Sequence, residues 1–139
     1  IENGSLSDKE GDVSIAESSL NNLNLDCSAG DLIIKSSSFT ESTLTLSAGD
    51  IDGTEVSFDN NCQISSKMGD IELSIPEKNL SDLALSLNAD MGDIDVPLNL
   101  SGYLITDDDR NTCKKKNDST SNVLTVQSDY GDITVHAAD

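Results

Sequence analysis

Six aspartates are the residues of this sequence most regularly placed to bind a cation: Asp12, Asp31, Asp50, Asp70, Asp93 and Asp132. Clustered carboxylates are ligands that calcium prefers, and carboxylates stacked at strand spacing would repel one another without a partner. Backbone N–H groups at a turn are an alternative partner, and we favour this hypothesis because the paired glycines of nine-residue calcium-binding repeats are missing. The aspartates are therefore expected to hold a turn, with calcium binding as the alternative.

The remaining chemistry-bearing residues do not form a recognisable catalytic set. His136 is the only histidine and Arg110 the only arginine. The glycines are dispersed and form no phosphate-binding loop, and no carboxylate pair is singled out as acid and base. Cys27, Cys62 and Cys113 lack CxxC spacing, which argues against a zinc site and favours buried thiols. We predict a protein that is not an enzyme and needs no cofactor.

The aspartates belong to a repeat in which Gly-Asp is followed by Val, Leu or Ile. Its glycines, which are predicted to be structural corners, are Gly11, Gly30, Gly49, Gly69, Gly92 and Gly131. Successive glycines are 19, 19, 20, 23 and 39 residues apart. Because the last interval is about two periods, we expect one copy between Gly92 and Gly131 to have lost its motif.

Apolar residues alternate with polar ones on both sides of each motif, as in strands with one buried face. Leu25 and Ile64 lie five residues before their glycines, and Leu32 and Ile71 lie two residues after them. The inward positions thus change from odd to even offsets across the motif. Such a change requires a bend, which glycine can form and an adjacent aspartate can hold with its side chain.

These patterns predict an all-β fold, a single-stranded parallel β-helix (β-solenoid) of about seven rungs of about 20 residues each. Residues 1–139 are expected to form a single domain. Leu98, Leu100, Leu104 and Ile105 are expected to supply the degenerate rung. An exposed loop is predicted at about 107–121, and a smaller insertion around Pro76–Asn79 accounts for the interval of 23 residues.

The formal net charge of −18 limits the classes of partner. Nucleic acids and anionic lipids attract clustered Lys and Arg, so neither is an expected ligand. No stretch is apolar enough to span a membrane, and direct membrane insertion by this segment is not expected. Because the chain begins at Ile1, we expect an upstream segment that carries an anchor or an export signal.

The six spaced Gly-Asp-aliphatic motifs, between about Leu6 and Val135, resemble those of a bacterial adhesin-like family of unknown function with recurring Gly-Asp-Ile motifs. The head domains of autotransporter adhesins look similar. The resemblance implies a right-handed β-helix in a bacterial extracellular or cell-envelope protein, anchored through an N-terminal segment. It supplies no catalytic residues.

Three functions follow as expectations. The first is a non-catalytic surface interaction module that presents a rigid, polar rod to a protein or a glycan. The second is a structural scaffold whose ends associate, because the terminal coils of a solenoid expose unpaired strand edges. The third is a calcium-binding surface module that uses the aspartates of the repeat.

Overall fold

The computed structural model describes residues 5–8, 10–76, 78–79, 83–95, 103–106, 112–116 and 122–138. Strands dominate these residues. In chain order they are β1 Ser5–Asp8, β2 Val13–Ala16, β3 Ser19–Asn21, β4 Asn24–Cys27, β5 Leu32–Lys35, β6 Ser38–Thr40, β7 Thr43–Ala48, β8 Ile51–Thr54, β9 Ser57–Asp59, β10 Asn61–Met68, β11 Ile71–Pro76, β12 Ala84–Ala89, β13 Ile94–Asp95, β14 Tyr103–Thr106, β15 Thr112–Lys116, β16 Val123–Ser128 and β17 Ile133–Ala138.

The strands are arranged as coils that stack into sheets. We number the coils along the chain: coil 1 is β1 to β3, coil 2 is β4 to β6, coil 3 is β7 to β9, coil 4 is β10 and β11, coil 5 is β12 and β13, and coil 6 is β16 and β17. The order of the first sheet is β1-β4-β7-β10-β16-β12-β15-β14, of the second β13-β17-β11-β8-β5-β2, and of the third β3-β6-β9. All pairs between coils are parallel, which confirms the predicted all-β, solenoid-like stack.

Columns of aliphatic side chains fill the interior, one residue from each coil. The column five residues before the glycines runs Leu25, Leu44, Ile64, Val126, Leu87, and the backbone of Leu6 continues the register beside Leu25. A second column, two residues after the glycines, runs Val13, Leu32, Ile51, Ile71, Ile133, Ile94. Stacking like residues in register buries apolar surface that one 20-residue coil could not bury alone.

The interior also explains one exception to the repeat. The position four residues after each glycine is aliphatic except at Gly53. A Cβ atom there would lie 3.0 Å from Cδ2 of Leu73 and 3.0 Å from Cγ2 of Val56. Both of these side chains are fully buried. Val56 and Leu73 thus fill the space that an aliphatic side chain occupies in the other coils.

Coil 6 lies between coils 4 and 5, so the stacking order is not the chain order. On one side β16 pairs with β10, with Ile64 beside Val126. On the other side β16 pairs with β12, with Val126 beside Leu87. The 39-residue interval is therefore not a coil that has lost its motif. Of its described strands, β14 and β15 lie beyond β12 at the end of the first sheet, and β16 lies between β10 and β12.

The expected seventh rung is replaced by two antiparallel strands. β15 pairs antiparallel with the outer edge of β12, and β14 pairs antiparallel with β15. Leu104 and Ile105 lie on β14 and not on a parallel rung, whereas Leu98 and Leu100 lie outside the described residues. The predicted loop at 107–121 contains strand β15, and its other residues also lie outside the described part of the chain.

The third sheet ends at β9, where a side chain takes the place of the next strand. Asn79 Oδ1 accepts a hydrogen bond from the N–H of Phe58 at 3.0 Å, and Asn79 Nδ2 donates to the carbonyl of Phe58 at 3.0 Å. The amide thus reproduces the two bonds that a neighbouring backbone would make. Asn79 belongs to the predicted insertion after Pro76. Beneath it, the rings of Phe39 and Phe58 stack with centroids 5.9 Å apart.

Candidate functional site

The glycine corner is where the first sheet passes into the second, and its backbone excludes other residues. Gly49 has a φ of 136°, in a region that side chains disfavour. A Cβ atom on Gly49 would also collide with the carbonyl oxygen of Gly30 on the neighbouring coil. The same collision with the preceding glycine arises at Gly69, Gly131 and Gly92, in that stacking order. Close stacking of corner backbones therefore requires glycine in each coil.

The aspartates that follow these glycines form a hydrogen-bonded ladder along the rod. Oδ1 of each aspartate except Asp93, the last in stacking order, accepts the backbone N–H of the aspartate on the next coil. The distances from the donor N to the acceptor Oδ1 are 2.9 Å from Asp31 to Asp12, 3.0 Å from Asp50 to Asp31, 2.9 Å from Asp70 to Asp50, 2.9 Å from Asp132 to Asp70 and 2.9 Å from Asp93 to Asp132. The carboxylates thus accept backbone N–H groups, as our favoured hypothesis proposed, but the donor belongs to the neighbouring coil.

The aspartate ladder explains how like charges can repeat along one edge. Neighbouring coils are about 4.8 Å apart, and a charge-assisted hydrogen bond at each step offsets the repulsion between exposed carboxylates. Within the described ranges, no group of three or more His, Cys, Asp or Glu side chains is arranged to hold a metal ion. The structure places the calcium candidates in one column, and the contacts shown for them are with backbone.

The residues that directly precede the glycines form a surface column, whose side chains become apolar and exposed at one end of the stack. In stacking order it reads Glu10, Ala29, Ala48, Met68, Tyr130, Met91. Met68, Tyr130 and Met91 are 57%, 60% and 72% exposed, and they are the large apolar side chains that the described residues leave in solvent. We call these three residues the apolar ridge. Scattered exposed apolar residues are ordinary, but three on consecutive rungs form a contiguous patch.

The insertion of coil 6 sets the order of the residues within the ridge. The N–H of Tyr130 donates to the carbonyl of Lys67 at 3.2 Å, and the N–H of Met91 donates to the carbonyl of Asp129 at 3.0 Å. These bonds place Tyr130 between the two methionines. Stacking in chain order would have put Met68 directly beside Met91. Sequence analysis missed the ridge, although reading the column before each glycine would have shown its large apolar members.

Carboxylates border the apolar ridge on both sides. The residues that directly precede Met68, Tyr130 and Met91 in sequence form one neighbouring column. In stacking order this column reads Lys67, Asp129, Asp90. On the other side, beyond the glycines, lie three members of the aspartate ladder: Asp70, Asp132 and Asp93. Asp90 and the three ladder members are exposed, and Asp129 is half-buried. The combination is a strip of apolar surface with three carboxylates on one side and, on the other, Lys67 followed by two carboxylates.

The other two corners of the solenoid are polar and lack such a strip. Non-glycine residues with left-handed backbone stack there: Glu17, Ser36 and Glu55 at one corner, and Asn22, Glu41 and Asn60 at the other. Beside the first of these corners is an open groove of about 620 Å³ lined mainly by serine and glutamate side chains. Its shallow polar lining presents no convergent set of catalytic groups among the described residues.

Buried thiols were predicted for the three cysteines, and two of them are described as buried. Cys27 and Cys62 are buried thiols, and Cys113 lies on β15. Burial raises the pKa of Cys62, although backbone hydrogen bonds to its sulfur partly oppose this. A thiol whose pKa is raised by burial is a poor nucleophile, which fits a packing role.

These features define a class: an acidic β-solenoid in which one corner is built from glycine and is followed by a carboxylate ladder. The chain belongs to the Toastrack DUF4097 family, a family of unknown function, whose model matches residues 1–136. Comparison with curated proteins gives no match, and comparison with solved structures gives none either. In the described ranges no helix has the length and apolarity needed to cross a membrane.

Proposed function

We propose that this domain is a non-catalytic interaction module that binds a partner protein through the apolar ridge. The observation that carries the proposal is the placement of Met68, Tyr130 and Met91 on three consecutive rungs, each more than half exposed. A rigid stack of parallel strands holds them in fixed positions. Little backbone entropy is then lost when a partner binds, which favours affinity.

The composition of the ridge favours a protein over a glycan as partner. Methionine side chains are flexible and polarisable, and they are common at surfaces that bind peptides and proteins. Tyrosine is enriched at interface hot spots because it combines a large apolar ring with a hydroxyl group. A sugar-binding face would be expected to offer several aromatic platforms, and the ridge contains only Tyr130.

Two other functions have less support. End-to-end scaffolding would continue the parallel stack from one copy to the next, but at one end of the first sheet β15 covers the outer edge of β12 and the sheet finishes in the antiparallel strands β15 and β14. Calcium binding would require carboxylate oxygens that converge, whereas each ladder aspartate except Asp93 directs Oδ1 at a backbone N–H of the next coil. A structural role for the ladder accounts for the same residues without an ion.

A location in the bacterial cell envelope and an adhesin-like role are part of the proposal, and they rest on the resemblance of the Gly-Asp-aliphatic motifs. An acidic rod with a single apolar strip fits a domain held away from a surface to meet a partner. Detection of the native protein in fractionated cells tests the location. Recovery in the cytosolic fraction alone would remove the envelope part of the proposal and leave the interaction surface untouched.

Site-specific photo-crosslinking tests the interaction itself. A benzoyl-phenylalanine introduced at position 130 is expected to crosslink to one discrete protein in the cells that make this domain. The matched control carries the same group at position 41, on a polar corner. The proposal predicts a product from position 130 that is absent from position 41 and is reduced by M68S/M91S. Equal labelling from both positions, or labelling of a second copy alone, would contradict it.

A further inference from the structure

We infer that the segment recognised by the apolar ridge is basic, with Lys or Arg residues next to apolar anchors. This inference rests on the proposed function, because it names the chemistry of the partner at the same surface. The ridge lies between Asp129 and Asp90 on one side and Asp70, Asp132 and Asp93 on the other. A chain that covers Tyr130 and Met91 therefore lies beside carboxylates that adjoin these two residues in sequence.

The ridge is also shaped for the long side chains of basic residues. Lys and Arg carry aliphatic stems that can lie on Met68 and Met91 while their charged heads reach a carboxylate. The ring of Tyr130 can accept a cation over its face. An acidic segment at this position would bring like charges together and lose its hydration, so the carboxylates on the two sides also exclude acidic partners.

The aspartate ladder keeps the carboxylates on its side of the ridge in place. Asp132 Oδ1 accepts the N–H of Asp93 at 2.9 Å, and Asp70 Oδ1 accepts the N–H of Asp132 at 2.9 Å. These bonds fix the carboxylates relative to the ridge, so ordering them on binding costs little. The ladder therefore has a second consequence beyond stability, because it holds a row of negative charge beside an apolar strip.

General attraction to an acidic protein must be separated from binding at the ridge. The net charge of −18 will attract any basic peptide at low salt. At about 0.15 M salt, charges more than about 8 Å apart are largely screened, so only local carboxylates contribute strongly. Two variants that each remove two negative charges, one pair beside the ridge and one pair at the polar corners, distinguish local from general attraction.

The test is titration of a synthetic peptide, three Gly-Lys-Leu triplets followed by Gly, into the domain at about 0.15 M salt. Exposed ion pairs each contribute about two- to fivefold in affinity, so D90N/D129N is expected to weaken binding about tenfold. The matched control E17Q/E41Q removes the same charge at polar corners and is expected to change the affinity less than twofold. M68S/M91S should also weaken binding. Neither charge pair contributes to the aspartate ladder, so the fold should be kept.

Each result decides between the hypotheses. Equal losses in the two charge variants would mean diffuse attraction and would overturn the inference. Tight binding of the same peptide with Glu in place of Lys would overturn it as well. If the basic peptide does not bind but position 130 still crosslinks to a protein, the basic character is wrong and the interaction site stands. If neither binds, the proposed function fails too.

Discussion

Engineered disulfides can test the position of coil 6 directly. Gln63 of coil 4, Thr125 of coil 6 and Ser86 of coil 5 occupy the same register position on three neighbouring strands. Their side chains lie on the outer face of the first sheet, so cysteines there do not disturb the interior. The native thiols are first removed with C27S, C62S and C113S, since serine already occupies equivalent inward positions at Ser66 and Ser42.

The structure fixes which pairs can be bridged. Neighbouring strands are about 4.8 Å apart, within the Cα separation of about 4.4–6.8 Å that a disulfide spans. Q63C/T125C and T125C/S86C are therefore expected to oxidise. Gln63 and Ser86 are two strand spacings apart, about 9.6 Å, so Q63C/S86C should remain reduced. If the coils stacked in chain order, Q63C/S86C would oxidise and Q63C/T125C would not, whereas T125C/S86C would oxidise in either order.

The bridge should also stabilise the fold. Closing a loop of about 63 residues between positions 63 and 125 restricts the unfolded chain by up to about 4 kcal/mol. For a domain of this size, that corresponds to a rise in melting temperature of about 10 °C, lost on reduction. Mass spectrometry of the oxidised variants and melts with and without dithiothreitol are the assays. Efficient oxidation of Q63C/S86C, with none in Q63C/T125C, would refute the stacking order.

Three further changes test the corners and the end of the third sheet. Glu41→Asn should raise the melting temperature by about 3 °C, because asparagine tolerates left-handed backbone better than glutamate. The control Glu41→Gln removes the charge but keeps the backbone strain. Equal rises in melting temperature for the two variants would mean that only the charge matters. Asn79→Ala should cost about 1–3 kcal/mol in urea unfolding, since both backbone groups of Phe58 lose their partner, while the neighbouring Lys78→Ala should change stability by less than about 0.5 kcal/mol. Asp70→Ala should lower the free energy of unfolding by about 1–2 kcal/mol, and Asp70→Asn should lower it less, because asparagine keeps an acceptor oxygen. A rise in the melting temperature of the wild-type protein at millimolar calcium, reversed by a chelator, would instead favour a metal-binding role.

The repeating part of the fold can be predicted from sequence because its causes are local. Alternation identifies the strands, and the change of parity across Gly-Asp identifies the corner. The aligned positions of Leu25, Leu44 and Ile64 predict an interior column that the structure confirms. The need for glycine has a non-local part as well, since a Cβ on Gly49 would meet the carbonyl of another coil.

The order of the coils could not be predicted, because equivalent residues in different coils are chemically alike. Ile71 can pack against Ile94 or against Ile133 with similar burial, so the interior column does not specify its neighbour. The antiparallel strands β14 and β15 were not predicted because of the composition of this part of the chain. The segment around β15 is rich in lysine and aspartate and lacks apolar alternation, so it has the composition of a loop. The order of Met68, Tyr130 and Met91 within the ridge follows from the order of the coils and could not be predicted for the same reason.

Insertion of coil 6 between coils 4 and 5 has a consequence for biosynthesis and for evolution. Coils 1 to 4 can assemble as they leave the ribosome, but coil 5 cannot reach its final neighbour until residues 122–138 have been made. A truncated chain would expose the edges of β10 and β12, and such unpaired strands are recognised by proteases and chaperones. Duplication of a coil is therefore tolerated more readily among coils 1 to 4 than near coil 6, where it would separate strands that must meet.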